Sequence, residues 1–182
     1  MFFVPSLQHM TYMKIAVTLC NQTDMKAPFN ELKTFHIDPY ATEQFGIAFS
    51  IVARATQKVN VLQIPEKLKQ DLISVLESTV LRIDDWFIEH SYILEPDFDD
   101  MSSFHWRSEG SIDRVKTAQA LLRREDAPVR MRLKFASRYC LEVDVRRFGR
   151  RCSRFTLTSI AELYILIIAK FASLLKFGIK VL

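Results

Sequence analysis

The stretch "PEKLKQDLISVLESTVLRIDDWFIEH", residues 65–90, decides the fold class of this 182-residue chain. Apolar and small side chains recur in it at steps of four, three, four, four and three residues, at Leu68, Leu72, Val75, Thr79, Ile83 and Trp86. That spacing places them on one face of an α-helix. Pro65 suits the first helical position, where its missing N–H costs no hydrogen bond. The stretch therefore predicts a long amphipathic helix that packs against a core.

Helical spacing continues upstream of this stretch. Residues 5–20 and residues 43–59 each predict a helix. The apolar stripe expected of the first comprises Leu7, Met10, Ile15 and Leu19. Between these helices, Pro28 and Pro39 predict irregular structure over residues 24–42. The β-branched residues of "VNVLQI", residues 59–64, leave a strand open as the alternative where the second helix ends.

Further helices are predicted downstream. Ser111 is expected to cap a helix that ends before "REDAP", residues 124–128, and another begins at Val129. The stripe of that last helix is expected to include Cys140, and the helix continues or shortly restarts through Phe148. The chain has only 4 glycines, which argues against a turn-rich all-β fold. We predict an all-α fold, either an irregular helical bundle or a short α-solenoid-like array, with an apolar C-terminal helix.

A short internal similarity relates "MKIAVTLCNQTD", residues 13–24, to "VKTAQALLRRED", residues 115–126. Four of the twelve aligned positions are identical. Such a match arises by chance between helical segments, or from a repeated helix–turn unit.

Three stretches carry a resemblance to known proteins: "PSLQHMTYMKIAVTLC" (5–20), "VKTAQALLRRED" and "RMRLKFASRYCLEVDVRRF" (130–148). Together they resemble a group of uncharacterised helical proteins expanded in arthropods, particularly arachnids. The likeness covers most of residues 1–148 and lies in the helix patterning. It implies an all-helical, ankyrin-like arrangement and brings no catalytic residues to this chain. The segment from Gly149 onward departs from the pattern of that group.

Charge is distributed unevenly along the chain. Residues 1–129 hold 13 Lys/Arg and 18 Asp/Glu, residues 130–154 hold 9 and 2, and residues 155–182 hold 3 and 1. The net formal charge of +4 therefore comes from one short basic stretch and not from a domain that is basic throughout.

Residues able to carry chemistry form no recognisable motif. The cysteines, Cys20, Cys140 and Cys152, are odd in number and lack C-x-x-C spacing, which favours free thiols in a reducing compartment. The histidines are scattered, and the loop "EPDFDD" (95–100) lacks the glycine of a calcium loop. A nucleophile pair of Cys140 with His90 or His105 stays open, although an inert buried thiol is more common on a helix face. We predict no metal, no cofactor and no enzymatic activity.

Two aromatic groups stand out, Trp86-Phe87 and Phe104-His105-Trp106. Large aromatic side chains serve as interface anchors, but they are more often part of a protein core. We expect these to be core residues.

The stretch "RRFGRRCSRF", residues 146–155, concentrates positive charge. Its arginines are candidates for contact with phosphate groups or with a membrane surface: Arg146, Arg147, Arg150, Arg151 and Arg154. A solvated linker between helices is the alternative. Nucleic acid is not favoured as a partner, because no recognition helix or stacking motif accompanies the cluster.

The segment "TLTSIAELYILIIAKFASLLKFGIKVL", residues 156–182, begins with a capping-box pattern at Ser159 and Glu162. It predicts an amphipathic helix with a narrow polar stripe. Its apolar face, a candidate membrane-facing or partner-facing surface, includes Leu163, Ile167, Phe171 and Leu174. Three interpretations stay open: association with a membrane, as a span or at its surface; packing in the fold or on a partner; and a disordered or artefactual segment.

These observations predict a helical domain over residues 1–148, a basic linker over 149–158 and an amphipathic helix over 159–182. The function expected is that of a non-enzymatic module for protein–protein interaction, with an unidentified protein as partner. The alternative is a membrane-associated helical protein that is anchored through residues 159–182. Either would be intracellular, in the cytoplasm or at a membrane.

Overall fold

The computed structural model describes residues 5–38, 46–96 and 101–152. These residues form seven α-helices, a short 3-10 turn at Met101–Ser103 and no strand, so the prediction of an all-α fold is confirmed. The helices are α1 (Leu7–Cys20), α2 (Thr23–Ile37), α3 (Ile47–Asn60), α4 (Glu66–His90), α5 (Arg114–Arg123), α6 (Val129–Arg138) and α7 (Glu142–Cys152). The chain divides into two compact units, Met1–Thr117 and Ala118–Leu182. The domain limits expected from the sequence, near residues 148 and 158, stay predictions.

Helix α4 is the centre of the first unit. It has 25 residues, which at 1.5 Å per residue is about 37 Å of helix. Helices α1, α2 and α3 all pack on it. Its buried side chains are Leu72, Leu76, Thr79, Val80, Ile83, Trp86, Phe87 and His90. The apolar spacing of residues 65–90 therefore predicted the helix and four of these eight buried residues, Leu72, Thr79, Ile83 and Trp86.

Helix α2 corrects the expectation of irregular structure after residue 24. It runs from Thr23 to Ile37 with Pro28 inside it. A proline there cannot donate to the carbonyl of Asp24, four residues earlier. The Arg54 side chain of α3 donates to that carbonyl instead, with Nη1 3.2 Å from the oxygen. Lys58 of α3 also lies 2.6 Å from an Asp24 carboxylate oxygen, so α3 stabilises the first turns of α2.

In the second unit, α6 packs against α7, and Phe148 of α7 is fully buried. The two helices are separated by a turn at Tyr139–Leu141, so the shortly restarted helix is the version that the structure adopts. The amide of Leu141 donates to the carbonyl of Ala136, and the amide of Cys140 donates to that of Ser137. These two bonds make a Schellman motif at the end of α6.

Cys140 does not lie on a buried helical stripe, so that prediction is wrong. It is exposed and occupies the left-handed position of the Schellman motif, with φ of +53°. Glycine is the usual residue there, because a Cβ atom disfavours this conformation. The helix ends two residues before Cys140, and the apolar spacing could not reveal where it ends.

We expect Cys140→Gly to raise the free energy of unfolding by about 0.5–1 kcal/mol, because glycine relieves the left-handed strain. Cys140→Ala should give no such gain, since alanine keeps the Cβ atom. Chemical denaturation of both variants measures the difference. Equal stabilisation by Ala and Gly would instead point to removal of the thiol as the cause.

Among the residues that the structure describes, no helix combines the length and the apolarity needed to cross a membrane. The C-terminal segment 159–182 lies outside these residues.

Candidate functional site

A tight hairpin follows the 3-10 turn in the first unit. Trp106 and Ile112 form an isolated antiparallel bridge, and the amide of Arg107 donates to the carbonyl of Ser111 at 2.9 Å. The amide of Gly110 closes the turn by donating to the Arg107 carbonyl, also at 2.9 Å. Gly110 has φ of +86°, which suits glycine in a bulge of this kind. The hairpin holds the Trp106 and Arg107 side chains beside α1.

Contact between the hairpin and α1 is close at Gly110. A Cβ atom at this position would lie 2.7 Å from the Met13 sulfur. Met13 is buried, and its sulfur also lies 4.0 Å from the Thr79 hydroxyl of α4. Met13 therefore fills the space between the hairpin and the central helix.

An open groove of about 290 Å³ runs between α1 and the hairpin. Its apolar lining is Met10, Met13, Val17 and Trp106, and its polar lining is Lys14, Thr18, Arg107 and Ser108. Met10 is 38 % exposed and Leu7, one turn earlier on α1, is 77 % exposed. The stripe expected to be buried on α1 is thus partly wrong, because the buried face of α1 is Met13, Ala16, Leu19 and Cys20.

Asp113 joins the hairpin to α5. Its carboxylate accepts from the Lys116 amide at 3.0 Å and lies 3.5 Å from Nε of Arg107. It therefore caps α5, a role that the sequence had suggested for Ser111. The hydrogen bond from the Lys116 amide, with the Arg107 and Lys116 charges, holds the pKa of Asp113 below its usual value.

We expect Asp113→Asn to destabilise the protein at neutral pH, because a lowered folded-state pKa means that folding favours the ionised carboxylate. That stabilisation is present above the pKa of the unfolded chain and disappears as the pH falls through the folded-state pKa. The difference between wild type and variant should therefore shrink on acidification. Asp85→Asn, at an exposed position on α4, is the control and should show little effect. A difference that stays constant down to low pH would contradict the assignment.

His36, His90 and Cys20 contribute to the packing of the first unit, whereas His105, which was expected in the core, is exposed. His36 of α2 lies 2.6 Å, Nε2 to Oδ1, from Asp84 of α4 and so ties the two helices together. His90 is fully buried and stacks on Trp86 with ring centres 4.4 Å apart. Burial raises the pKa of the Cys20 thiol to about 12, which suits an inert cysteine.

Cys140 is exposed and Cys20 is buried. An alkylating reagent should therefore react faster with Cys140 than with Cys20, whether or not Cys140 is a catalytic nucleophile. In the described ranges, no group of three or more His, Cys, Asp or Glu could hold a metal ion.

The predicted basic cluster falls partly within α7. Arg146 and Arg147 are exposed on this helix, and Arg146 lies 3.4 Å from the Glu142 carboxylate one turn earlier. Arg150 and Arg151 belong to the same helix. The other predicted site residues, Arg154, Leu163, Ile167, Phe171 and Leu174, lie outside the described residues. Helix α7 thus includes the first residues of the segment that was expected to be a linker.

The groove was not predicted from the sequence. Met10 was assigned to a buried stripe, and Trp106 was expected in the core but is only half-buried. The sequence features that could have indicated the groove are the two methionines of the first helix, Met10 and Met13, and a tryptophan close to a glycine turn. Trp86, in contrast, is 2 % exposed and is a core residue as expected.

Comparisons with protein-family models, with curated proteins and with solved structures give no match. The resemblance to arthropod helical proteins therefore stays a prediction from the sequence.

Proposed function

We propose that this chain is a non-enzymatic protein-interaction module that binds an acidic amphipathic helix of a partner protein. The observation that carries the proposal is the open groove between α1 and the 106–112 hairpin. It places apolar side chains side by side on a concave surface that is open to solvent, and apolar grooves are the usual docking sites for the apolar face of a partner helix.

The lining of the groove suits a helix better than a small molecule. The groove has a volume of about 290 Å³ and is open to solvent. It therefore has room for one or two large side chains from the apolar face of a helix. Met10, which is partly exposed, adapts its shape to different apolar partners because the thioether side chain is flexible. Trp106 offers a rigid aromatic wall of the kind that often anchors an interface.

The charge of the rim favours an acidic partner. Lys14 is exposed, and within the described part of the chain it pairs with no carboxylate. Arg107 lies at the other side of the groove, where Asp113 holds its guanidinium. Carboxylates that flank the apolar face of a partner helix would meet these two cations.

A pair of designed peptides tests the proposal by fluorescence anisotropy. Both carry Leu at helical spacing, and the remaining positions are Glu in one peptide and Lys in the other. The wild-type protein should bind the Glu peptide more tightly. Lys14→Glu should weaken that binding about fivefold, the effect of an exposed ion pair of about 1 kcal/mol. Equal binding of the two peptides would contradict the proposal.

A second pair of variants locates the binding surface. Met10→Asp should weaken binding of the Glu peptide at least about tenfold, because it places a carboxylate in the apolar groove. Val61→Asp is the matched control, since Val61 is an exposed apolar residue outside the groove, 79 % accessible. If both variants bind like the wild type, the peptide docks elsewhere and the groove is not the site.

Membrane association is the second candidate function. Its support is the surface of α7, where Arg147 and the 80 %-exposed Val143 offer a cation and an apolar group. The predicted helix 159–182 would add the apolar anchor. Flotation of the full-length protein with anionic vesicles tests this candidate, and a Phe171→Glu/Leu174→Glu variant should lose flotation if the tail inserts. A wild-type protein that never floats would exclude it.

A further inference from the structure

Arg132 occupies an unusual position for an arginine. It lies on α6 and is 8 % exposed, and its buried Nε atom has no hydrogen-bond partner among the described residues. The guanidinium carbon is 4.9 Å from the centre of the Phe148 ring, so the aromatic face supports the cation from one side. A buried guanidinium nitrogen without a partner is costly, because it has lost water without gaining an acceptor.

A second guanidinium meets the same ring. Arg147, which precedes Phe148 on α7, has its guanidinium carbon 5.6 Å from the ring centre. Its neighbour Arg146 lies instead beside the Glu142 carboxylate at 3.4 Å. Two of the cations in this unit therefore contact the Phe148 ring, while the adjacent one is paired.

Among the described residues, neither the Arg132 nor the Arg147 guanidinium forms a salt bridge with a carboxylate. Asp126 is close enough for the Arg132 charge to contribute to its lowered pKa, but its carboxylate is bound by Arg124, with Nε 3.0 Å from Oδ1. Residues 118–152 hold ten Lys/Arg and four Asp/Glu, so the surroundings are positive overall. Two cations that contact one ring repel each other, and an anion that accepts from both removes this repulsion.

We propose that Arg132 and Arg147 form a binding site for a phosphate monoester dianion, with Phe148 holding the two guanidinium groups in place. The planar fork of arginine matches the oxygens of a phosphate, and a dianion can accept from both groups together. The Nε of Arg132 would gain the acceptor that it lacks. This site belongs to the second unit and does not depend on the proposed peptide groove.

Titration with inorganic phosphate and with inositol trisphosphate, at constant ionic strength, tests the site by calorimetry and by amide shifts in NMR spectra. Arg147→Gln should weaken binding of inositol trisphosphate at least about tenfold, which corresponds to about 1.4 kcal/mol. Arg146→Gln is the matched control, because it removes the same charge one residue away, and it should change affinity less than twofold. Arg132→Lys keeps the charge but loses the fork, and should weaken binding as Arg147→Gln does.

Three results would overturn the proposal. The first is equal weakening by Arg146→Gln and Arg147→Gln, which would mean diffuse attraction to a basic surface. The second is equally strong binding of sulfate and phosphate monoester at a pH where the phosphate is a dianion, which would mean an adventitious anion site. The third is no binding of either phosphate probe by the folded wild-type protein. The comparison of Arg146→Gln with Arg147→Gln decides the question even if Arg132→Lys does not fold, because both positions are exposed.

Vesicles identify the source of the phosphate. If the monoester belongs to a lipid headgroup, vesicles that contain phosphatidylinositol 4-phosphate should bind the wild-type protein. The Arg147→Gln variant should not bind these vesicles. Vesicles with the phosphodiester lipid phosphatidylserine at equal charge should bind less. Binding of inositol trisphosphate without vesicle binding would assign the site to a soluble phosphate ester. Equal binding to both vesicle types, unaffected by Arg147→Gln, would count against the site.

Discussion

Phe87→Ala is expected to lower the free energy of unfolding by about 3–5 kcal/mol, the usual loss for a fully buried phenylalanine. Phe87 is 1 % exposed on the central helix α4. Its ring centre lies 5.9 Å from that of Trp86 and 6.2 Å from that of Phe104. Truncation removes these contacts and leaves a cavity between rigid neighbours, which cannot close around a methyl group.

The neighbouring residue provides the control. Ile88 follows Phe87 on the same helix but is 50 % exposed, so Ile88→Ala should cost less than about 1 kcal/mol. Urea denaturation followed by circular dichroism measures both variants, and the slope with urea shows whether the folded state has changed. Similar losses for the two variants would mean that α4 is not packed as the structure has it.

Phe148→Ala should lower the free energy of unfolding by about 3–5 kcal/mol through the lost packing of α7 on α6. Phe148 is fully buried, and α6 is the helix against which α7 packs. The substitution also removes the ring that faces the Arg132 and Arg147 guanidinium groups, so these cations lose a favourable contact. Amide hydrogen exchange in α6 and α7 should become markedly faster.

Val143→Ala is the control for this unit. Val143 lies on the same helix and is 80 % exposed, so its truncation should leave exchange in α6 and α7 almost unchanged. Protection that survives in Phe148→Ala would contradict the packing of α7 through this residue. A fall in protection that is equal in both variants would indicate that α7 is stabilised by its own helical propensity and not by burial.

Regular spacing was sufficient for the helices that bury a continuous apolar face. The stretch 65–90 repeats its apolar residues at every turn, and α4 begins and ends within one residue of the predicted limits. Local periodicity works here because a single helix supplies the whole pattern. The prediction from residues 43–59 likewise corresponds to α3, at Ile47–Asn60.

Non-local contacts explain the places where prediction from the sequence was wrong. Pro28 lies inside α2 because Arg54, distant in sequence, supplies the donor that proline lacks. Asp113 and not Ser111 caps α5 because the hairpin bonds at Arg107 and Gly110 use the residues before it. Such choices depend on where hydrogen-bond partners are in space, and spacing along the chain does not record that.

The candidate sites likewise combine features that the sequence predicts with features that depend on contacts between distant residues. Sequence composition located the basic stretch and the absence of a known catalytic motif, but it treated all the arginines of that stretch alike. The structure distinguishes Arg146, beside Glu142, from Arg147, over Phe148. It also adds Arg132, which is sixteen positions from Phe148 in the sequence.

The amino-acid sequence by itself determined that the chain is helical and that positive charge follows residue 129, since periodicity and composition are properties of the chain alone. Only the tertiary structure decided which apolar side chains stay in solvent. Met10 and Trp106 lie on one groove because the hairpin packs on α1 through Gly110 and Met13. Burial is a property of neighbours in space, and a helix with more apolar residues than its core can cover leaves some of them exposed.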